Sequence, residues 1–138
     1  MAAALSERAR PVPTPETAEY WEGARRGVLR IQRCTACEKA YFYPRPYCPN
    51  CSSTEVEWFD ASGDATLLSY NVNHRLAPGY DAPYAIAIVR LAEGPQMMTN
   101  IVDIEPDALE LDMELHVQFQ DRGDDLFVPV FAPKEAAA

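Results

Sequence analysis

Cys34-Thr35-Ala36-Cys37 and Cys48-Pro49-Asn50-Cys51 are two Cys-x-x-Cys knuckles ten residues apart, and between them they hold all four cysteines of the chain. Zinc favours four thiolates in a tetrahedron, and a Cys-x-x-Cys turn lets two sulfurs of one short loop reach the same ion, so two such turns complete the shell. The pattern predicts a zinc ribbon with one Zn2+ on Cys34, Cys37, Cys48 and Cys51. A four-thiolate shell leaves no position for water or substrate, so the metal is expected to be structural and not hydrolytic. The competing readings are two disulfides or a thioredoxin-like redox pair. That both knuckles are paired and no other cysteine exists weighs against them. Met1 to Arg10 carries an alanine run but no apolar stretch of the ~7–15 residues a signal peptide needs. No apolar run approaches the ~18 residues of a membrane span either. The expectation is a cytoplasmic protein with reduced thiols and no membrane association.

Working outward, charge divides the 138 residues into two parts. Up to Cys51 eight Lys/Arg face five acids, a net of +3, while the remainder has four basic residues against sixteen acids, a net of −12. A basic front and an acidic back suggest faces for different partners, and the back half repels a phosphate backbone over about a Debye length, ~8 Å. Solvated surface is the plainer reading of the acids.

Before the knuckles, Thr14-Pro15-Glu16 reads as an N-cap, a proline at the first helical position and an acid in the first turn, opening a helix to about Arg26 that Gly27 stops. Thr17, Trp21, Ala24 and Val28 fall near one face, with Tyr20 beside Trp21. So short a helix must rest on something. Either Trp21 folds back on the ribbon, or Tyr20 and Trp21 anchor a partner subunit, as aromatics do in interface cores. Between the knuckles, Pro44 and Pro46 keep Tyr41 to Tyr47 extended, so that its tyrosines, Tyr43 and Tyr47 among them, cover the metal or present an adhesive surface.

After the knuckles the period becomes that of strands. Val56 and Trp58 alternate with acids, Ala65 to His74 follows a Ser62-Gly63-Asp64 turn, and Tyr84 to Leu91 is apolar on both faces, as a central strand is. Gln96 to Val102 follows Glu93-Gly94-Pro95, Leu109 to Phe119 keeps period-two spacing, and Phe127 to Phe131 closes the run. Five or six short strands with tight turns predict a small closed barrel. The expected division is a helical segment at 1–28, the ribbon at 29–59, the barrel at 60–133 and a disordered tail at 134–138.

Tyr20-Trp21, then Leu29-Arg30-Ile31-Gln32-Arg33-Cys34, Pro44-Arg45-Pro46-Tyr47-Cys48-Pro49-Asn50-Cys51 and Phe127-Val128-Pro129-Val130-Phe131, in this order, resemble the zinc-ribbon/OB-fold proteins that accompany thiolase-superfamily enzymes. The resemblance runs from about Thr14 to Pro133. It implies a mostly β protein, with an N-terminal helix and a rubredoxin-like zinc ribbon followed by an OB-fold-like barrel. It also implies a non-catalytic accessory subunit, complexed with a thiolase, a synthase of the same superfamily or a thiolase-like aldolase that shortens steroid side chains, with acyl-CoA at the shared interface. A dimeric partner would give a heterotetramer. Two residues depart from the family pattern: Glu38 and Asp112 stand where glycine is usual, which touches local shape and no metal ligand.

Unaided chemistry finds few groups. With every thiol assigned to metal, only His74 and His116 remain as imidazoles, and His116 lies on the polar phase of its strand, where a solvated or pairing role is expected. His74 and Arg75 end the first barrel strand, ahead of a loop flanked by Tyr80 and Tyr84. An arginine among acids is ordinarily paired with a carboxylate. The functional alternative places His74, Arg75, Tyr80 and Tyr84 around a CoA or substrate channel, with the Arg75 guanidinium on phosphate or carboxylate. Of Met97 and Met98, adjacent strand positions, at least one must point inward. A nucleic-acid-binding ribbon/OB module is the alternative function, but a single-strand groove needs cations with stacking aromatics, and the barrel half is strongly acidic. An independent enzyme lacks an acid/base constellation.

Overall fold

The structure, a computed structural model, describes residues 8–134. The alanine-rich start, residues 1–7, and all but the first residue of the expected 134–138 tail lie outside them. The helix begins later than the sequence suggests. Pro15–Thr17 forms a 3-10 turn and α1 runs over Ala18–Arg25. The Thr14 N–H donates to Thr17 Oγ1 (2.8 Å) and the Thr17 N–H to the Thr14 carbonyl (3.0 Å), which closes an i to i+3 turn. The stop is the expected one. Gly27 has φ +80°, its N–H bonds the Ala24 carbonyl (3.0 Å), and the Val28 N–H reaches back to Gly23 (2.8 Å), a Schellman ending. The buried stripe is Tyr20, Gly23 and Ala24, rotated from the expected face, and Trp21 is half-buried. A β-carbon on Gly23 would lie 2.6 Å from Arg30 Cγ, so the absent side chain lets the arginine stem cross the helix.

The ribbon is a three-stranded antiparallel sheet in which β1 (Arg30–Cys34) lies between β2 (Ala40–Tyr41) and β3 (Val56–Asp60). Arg30 opposes Asp60 in register, and its Nε stands 2.9 Å from Asp60 Oδ1. Five strands make the barrel: β4 (Asp64–Asn73), β5 (Tyr84–Leu91), β6 (Gln96–Ile101), β7 (Glu114–Asp121) and β8 (Phe127–Pro133), in the order β4-β5-β6-β8-β7. β5 pairs along its length with both β4 and β6, so it is not an edge strand. The Leu109–Phe119 alternation is one strand only from Glu114 onward. A 3-10 turn at Pro106–Ala108 precedes it, Leu109 is buried, Leu111 is exposed, and Asp112 turns with φ +68° while its N–H bonds the Leu67 carbonyl (2.8 Å).

Two seams close the barrel. β7 pairs β4 from Asp64 opposite His116 to Thr66 opposite Glu114. There His116 Nδ1 meets Asp64 Oδ1 at 2.8 Å and Lys134 Nζ the same oxygen at 3.3 Å, so His116 takes the pairing role. The other seam is thinner: β6 and β8 run parallel and pair at one position, Ile101 opposite Phe131, with the Val102 N–H donating to the Phe131 carbonyl (2.8 Å). Among the described residues one apolar core joins helix, ribbon and barrel, with Tyr20, Leu29 and Ile31 packed among Leu67, Val89, Leu91, Leu115 and Phe131.

Gly63 joins ribbon to barrel with φ +87°, and a β-carbon there would sit 2.6 Å from Val117 Cγ1. Its carbonyl accepts from the Val117 N–H (2.9 Å), so the turn cannot swing away without losing that bond. Gly63→Ala is therefore expected to destabilise the zinc-loaded protein by more than ~1 kcal/mol. Urea denaturation checks this, and an unchanged midpoint would refute it.

Candidate functional site

The four cysteine sulfurs converge from two loops of matching design. The Cys34 carbonyl accepts from the Glu38 N–H (2.9 Å), and the Cys48 carbonyl from the Ser52 N–H (2.9 Å). Each knuckle thus turns on the residue after its second cysteine, and both residues are left-handed, Glu38 with φ 65° and Ser52 with φ 66°. Glu38 therefore occupies a position that asks for glycine, as its departure from the family pattern implies, and Asp112 occupies another. All four Sγ atoms lie within 4.8 Å of one another, with Cys34 to Cys51 and Cys37 to Cys48 each at 3.6 Å. A tetrahedron with Zn–S near ~2.3 Å spaces its sulfurs about 3.8 Å apart, whereas a disulfide needs ~2.05 Å. The thiol set fits one zinc ion and not two disulfides.

The surroundings suit thiolates. The Cys37 N–H points at Cys34 Sγ (3.4 Å), the Asn50 N–H at Cys48 Sγ (3.3 Å) and Asn50 Nδ2 at Cys37 Sγ (3.6 Å). The Lys39 N–H, assisted by Asn50, pulls the Cys37 thiol down to about 6. At Cys51 the Ser53 N–H pulls the same way, but the three neighbouring sulfurs push the thiol up to about 12. Four thiols at this spacing resist ionising together unless a cation shares their charge. Cys34 and Cys48 are buried, Cys37 half-buried and Cys51 exposed. Zinc in this shell crosslinks the knuckles and offers no open position for substrate.

Inside the ribbon, the buried Gln32 Oε1 accepts the Arg45 N–H (2.8 Å), and the Tyr41 hydroxyl donates to the Arg45 carbonyl (3.0 Å). These bonds pin the middle of the Tyr41–Tyr47 segment and turn its other tyrosines outward, Tyr43 at 65% and Tyr47 at 53% exposure. Tyr20 does not share that surface. Its ring lies in the core, edge-on to Trp21 (4.9 Å between centroids) and Phe42 (5.7 Å), and burial pushes its phenol well above the ordinary range. Tyr20 therefore supports Trp21 from below and presents little face of its own. Trp21, Phe42, Tyr43 and Pro44 line one side of a groove of about 390 Å³, and Met97, Met98 and Pro129 of the barrel line the other. Met97 points inward and Met98 outward, at 5% and 67% exposure.

The four candidate channel residues do not form one mouth. The Tyr80 and Tyr84 rings meet at 3.8 Å, and the Tyr84 hydroxyl accepts from Asn73 Nδ2 (2.7 Å). His74 opens into a cleft with Glu105 and Asp107, whereas Tyr80 lines another with Arg8 and Arg122. Arg75 is exposed, its N–H capped by Asn73 Oδ1 (3.1 Å), and it makes no ion pair among the described residues. The cation over Tyr80 is Arg8, 3.7 Å from the ring centroid, with its Nε donating to the Gly79 carbonyl (3.0 Å). Arg122, 7% exposed, donates to the Ala9 carbonyl (3.0 Å). Sequence reading missed this clasp because its partners are 71 and 113 residues apart and sit in polar segments with no period.

Residues 21–57 match the family described as "ChsH2, rubredoxin-like zinc ribbon domain", and residues 58–120 match "ChsH2, C-terminal OB-fold domain". A "DUF35 domain-containing scaffold protein" of Methanocaldococcus jannaschii is 35% identical over 99 residues, 67% of this chain and 70% of that protein. The chain belongs to the DUF35 family. In structure, this DUF35 chain superposes on a chain of the "Ltp2-ChsH2(DUF35) aldolase" with a TM-score of 0.81 and 36% identity, over 90% of this chain and 98% of that one. A "Probable enoyl-CoA hydratase alpha subunit" of Thermomonospora curvata is 36% identical over 127 residues, 91% of this DUF35 chain but only 40% of that protein. No described helix is long and apolar enough to cross a membrane.

Proposed function

We propose that this chain is a non-catalytic accessory subunit of a thiolase-superfamily complex, thiolase or thiolase-like aldolase, acting on acyl-CoA thioesters in the cytoplasm. The observation that carries the reading is the end-to-end similarity to the DUF35 chain of an aldolase, at a TM-score of 0.81. The architecture agrees with a scaffold. Zinc fixes the knuckles, the pinned Arg45 backbone turns Tyr43 and Tyr47 outward, and Trp21 stands on a buried tyrosine, so the aromatic face is rigid before any partner arrives. Preorganised aromatic anchors lose little entropy on docking. Nucleophile and acid/base groups belong to the partner, which decides between condensation or thiolysis and aldol cleavage. A dimeric partner gives a two-plus-two assembly. Arg75, exposed at the end of β4, faces the shared channel and meets phosphate or carboxylate there.

The test is a tagged pull-down from the native host at moderate salt, with mass spectrometry and a zinc assay on one eluate. A stoichiometric thiolase-superfamily subunit with one zinc per chain is the expected result, and recovery of nucleic acid alone would refute the reading. Within the recovered complex, Arg75→Ala is expected to raise the KM for acyl-CoA severalfold with little change in kcat, as loss of ground-state binding does. An unchanged KM would remove Arg75 from the channel.

A further inference from the structure

The β6–β8 seam is thin for a chemical reason that lies in one residue. In an antiparallel ladder every second residue bonds across, and the Leu91 N–H to Pro95 carbonyl bond (2.8 Å) sets the phase of β5 and β6. Met97, Thr99 and Ile101 then bond to β5, while Gln96, Met98, Asn100 and Val102 turn their backbone groups to the seam. The Val102 bond to Phe131 obeys this phase. On the other side, the Arg122 N–H to Leu126 carbonyl bond (2.8 Å) turns Phe127, Pro129 and Phe131 to the seam. Pro129 has no N–H to give, so the ladder cannot extend toward Met98. What remains there is a side-chain bond, Thr99 Oγ1 to the Pro129 carbonyl at 3.4 Å. The β6–β8 ladder holds no pair at Met98, and the Met98 side chain is 67% exposed.

The groove described above opens onto this stretch. We propose that it is the docking site for an extended, uncharged segment of the partner enzyme subunit, which adds as a strand along β6 and seats apolar side chains between Trp21, Phe42, Tyr43 and Met98. The proposal rests on the accessory reading and names the surface that reading uses. Two features select this occupant. A stretch of β6 without ladder pairs offers backbone donors and acceptors, which a polypeptide backbone satisfies and an acyl chain does not. In a chain of net charge −9, no residue lining the groove is charged, so a charged side chain would enter unpaired. Val12 at 81%, Tyr43 at 65% and Met98 at 67% exposure gather on this one groove, an apolar patch that a partner would cover.

Hydrogen exchange of the zinc-loaded protein, resolved to single amides in β6 and read alone and with the enzyme subunit recovered by the pull-down, tests it. Alone, the Met98 amide is expected to exchange at least ~100-fold faster than those of Met97 and Thr99, and in the complex to slow at least ~10-fold. Met98→Glu is expected to weaken the complex at least ~10-fold while Met98→Leu does not, both variants keeping wild-type zinc content and melting temperature. A slow Met98 amide in the isolated protein overturns the open seam. A stable complex in which Met98 exchange is unchanged and Met98→Glu binds normally overturns the docking site and leaves the accessory reading standing. If decanoyl-CoA alone protects the groove and Met98→Glu abolishes that protection, the groove holds acyl chain and the proposal fails. Recovery of no enzyme subunit removes the accessory reading and this proposal with it.

Discussion

Cys34→Ser is expected to abolish zinc binding and collapse the ribbon. Cys34 is fully buried, it ends β1, and its backbone N–H and carbonyl both bond within the first knuckle. A serine hydroxyl is a poor zinc ligand, and three thiolates would be left without the cation that lets them ionise together. Structural zinc contributes ~10–16 kcal/mol of apparent binding free energy in small sites, against a net stability of about 5–15 kcal/mol for a whole domain, so the loss exceeds what the fold can absorb locally. Because Leu29 and Ile31 share the core with barrel residues, the damage spreads beyond the knuckles. The expected readout is zinc content near zero, loss of near-ultraviolet dichroism from the ribbon aromatics, and a lowered, broadened melt. Chelation of the wild type should reproduce it, and added zinc should reverse it. A Cys34→Ser protein with wild-type zinc and melt would sink the assignment.

Phe131→Ala carries the second large effect. Phe131 is fully buried, opposes Val117 across β7 and β8, and is the only β8 residue paired with β6. Truncation removes a ring from the centre of the core and leaves a cavity at the position that closes the barrel. A cost of about 3–5 kcal/mol is expected in urea denaturation of the zinc-loaded protein. Zinc stoichiometry should be unchanged, which separates this lesion from that at Cys34. A cost below ~1 kcal/mol would mean that the barrel is held shut elsewhere.

The legible parts were those with local chemical signatures. Two knuckles fixed the zinc ligands by spacing alone, and Gly27 after a short amphipathic run marked the helix end. The apolar run of Tyr84 to Leu91 foretold a strand paired on both sides. Reading failed where a local pattern met a tertiary demand. Leu109 and Leu111 continue the alternation of β7 in sequence, yet Asp112 turns the chain between them and the strand, because its N–H is needed on Leu67. Tyr20 and Trp21 are neighbours of similar character, and only the packing of Phe42 decides which ring is buried. Of the four residues expected around one channel mouth, His74 and Tyr80 line separate clefts, and the loop between Arg75 and Tyr84 folds toward Arg8, a partner that no period announces.

The thin seam also bears on the order in which the chain folds. β4, β5 and β6 form a meander of neighbours, and β7 and β8 a hairpin, so both pieces can assemble from contacts close in sequence. Joining them needs Asp64 to find His116 and Ile101 to find Phe131, encounters that close long loops for few bonds. Barrel closure is thus the late event, with a transition state poor in β6–β8 contact. Changes that remove only the β6–β8 contact should accelerate unfolding far more than they slow refolding, whereas changes to the pairing of β4, β5 and β6 should do the reverse.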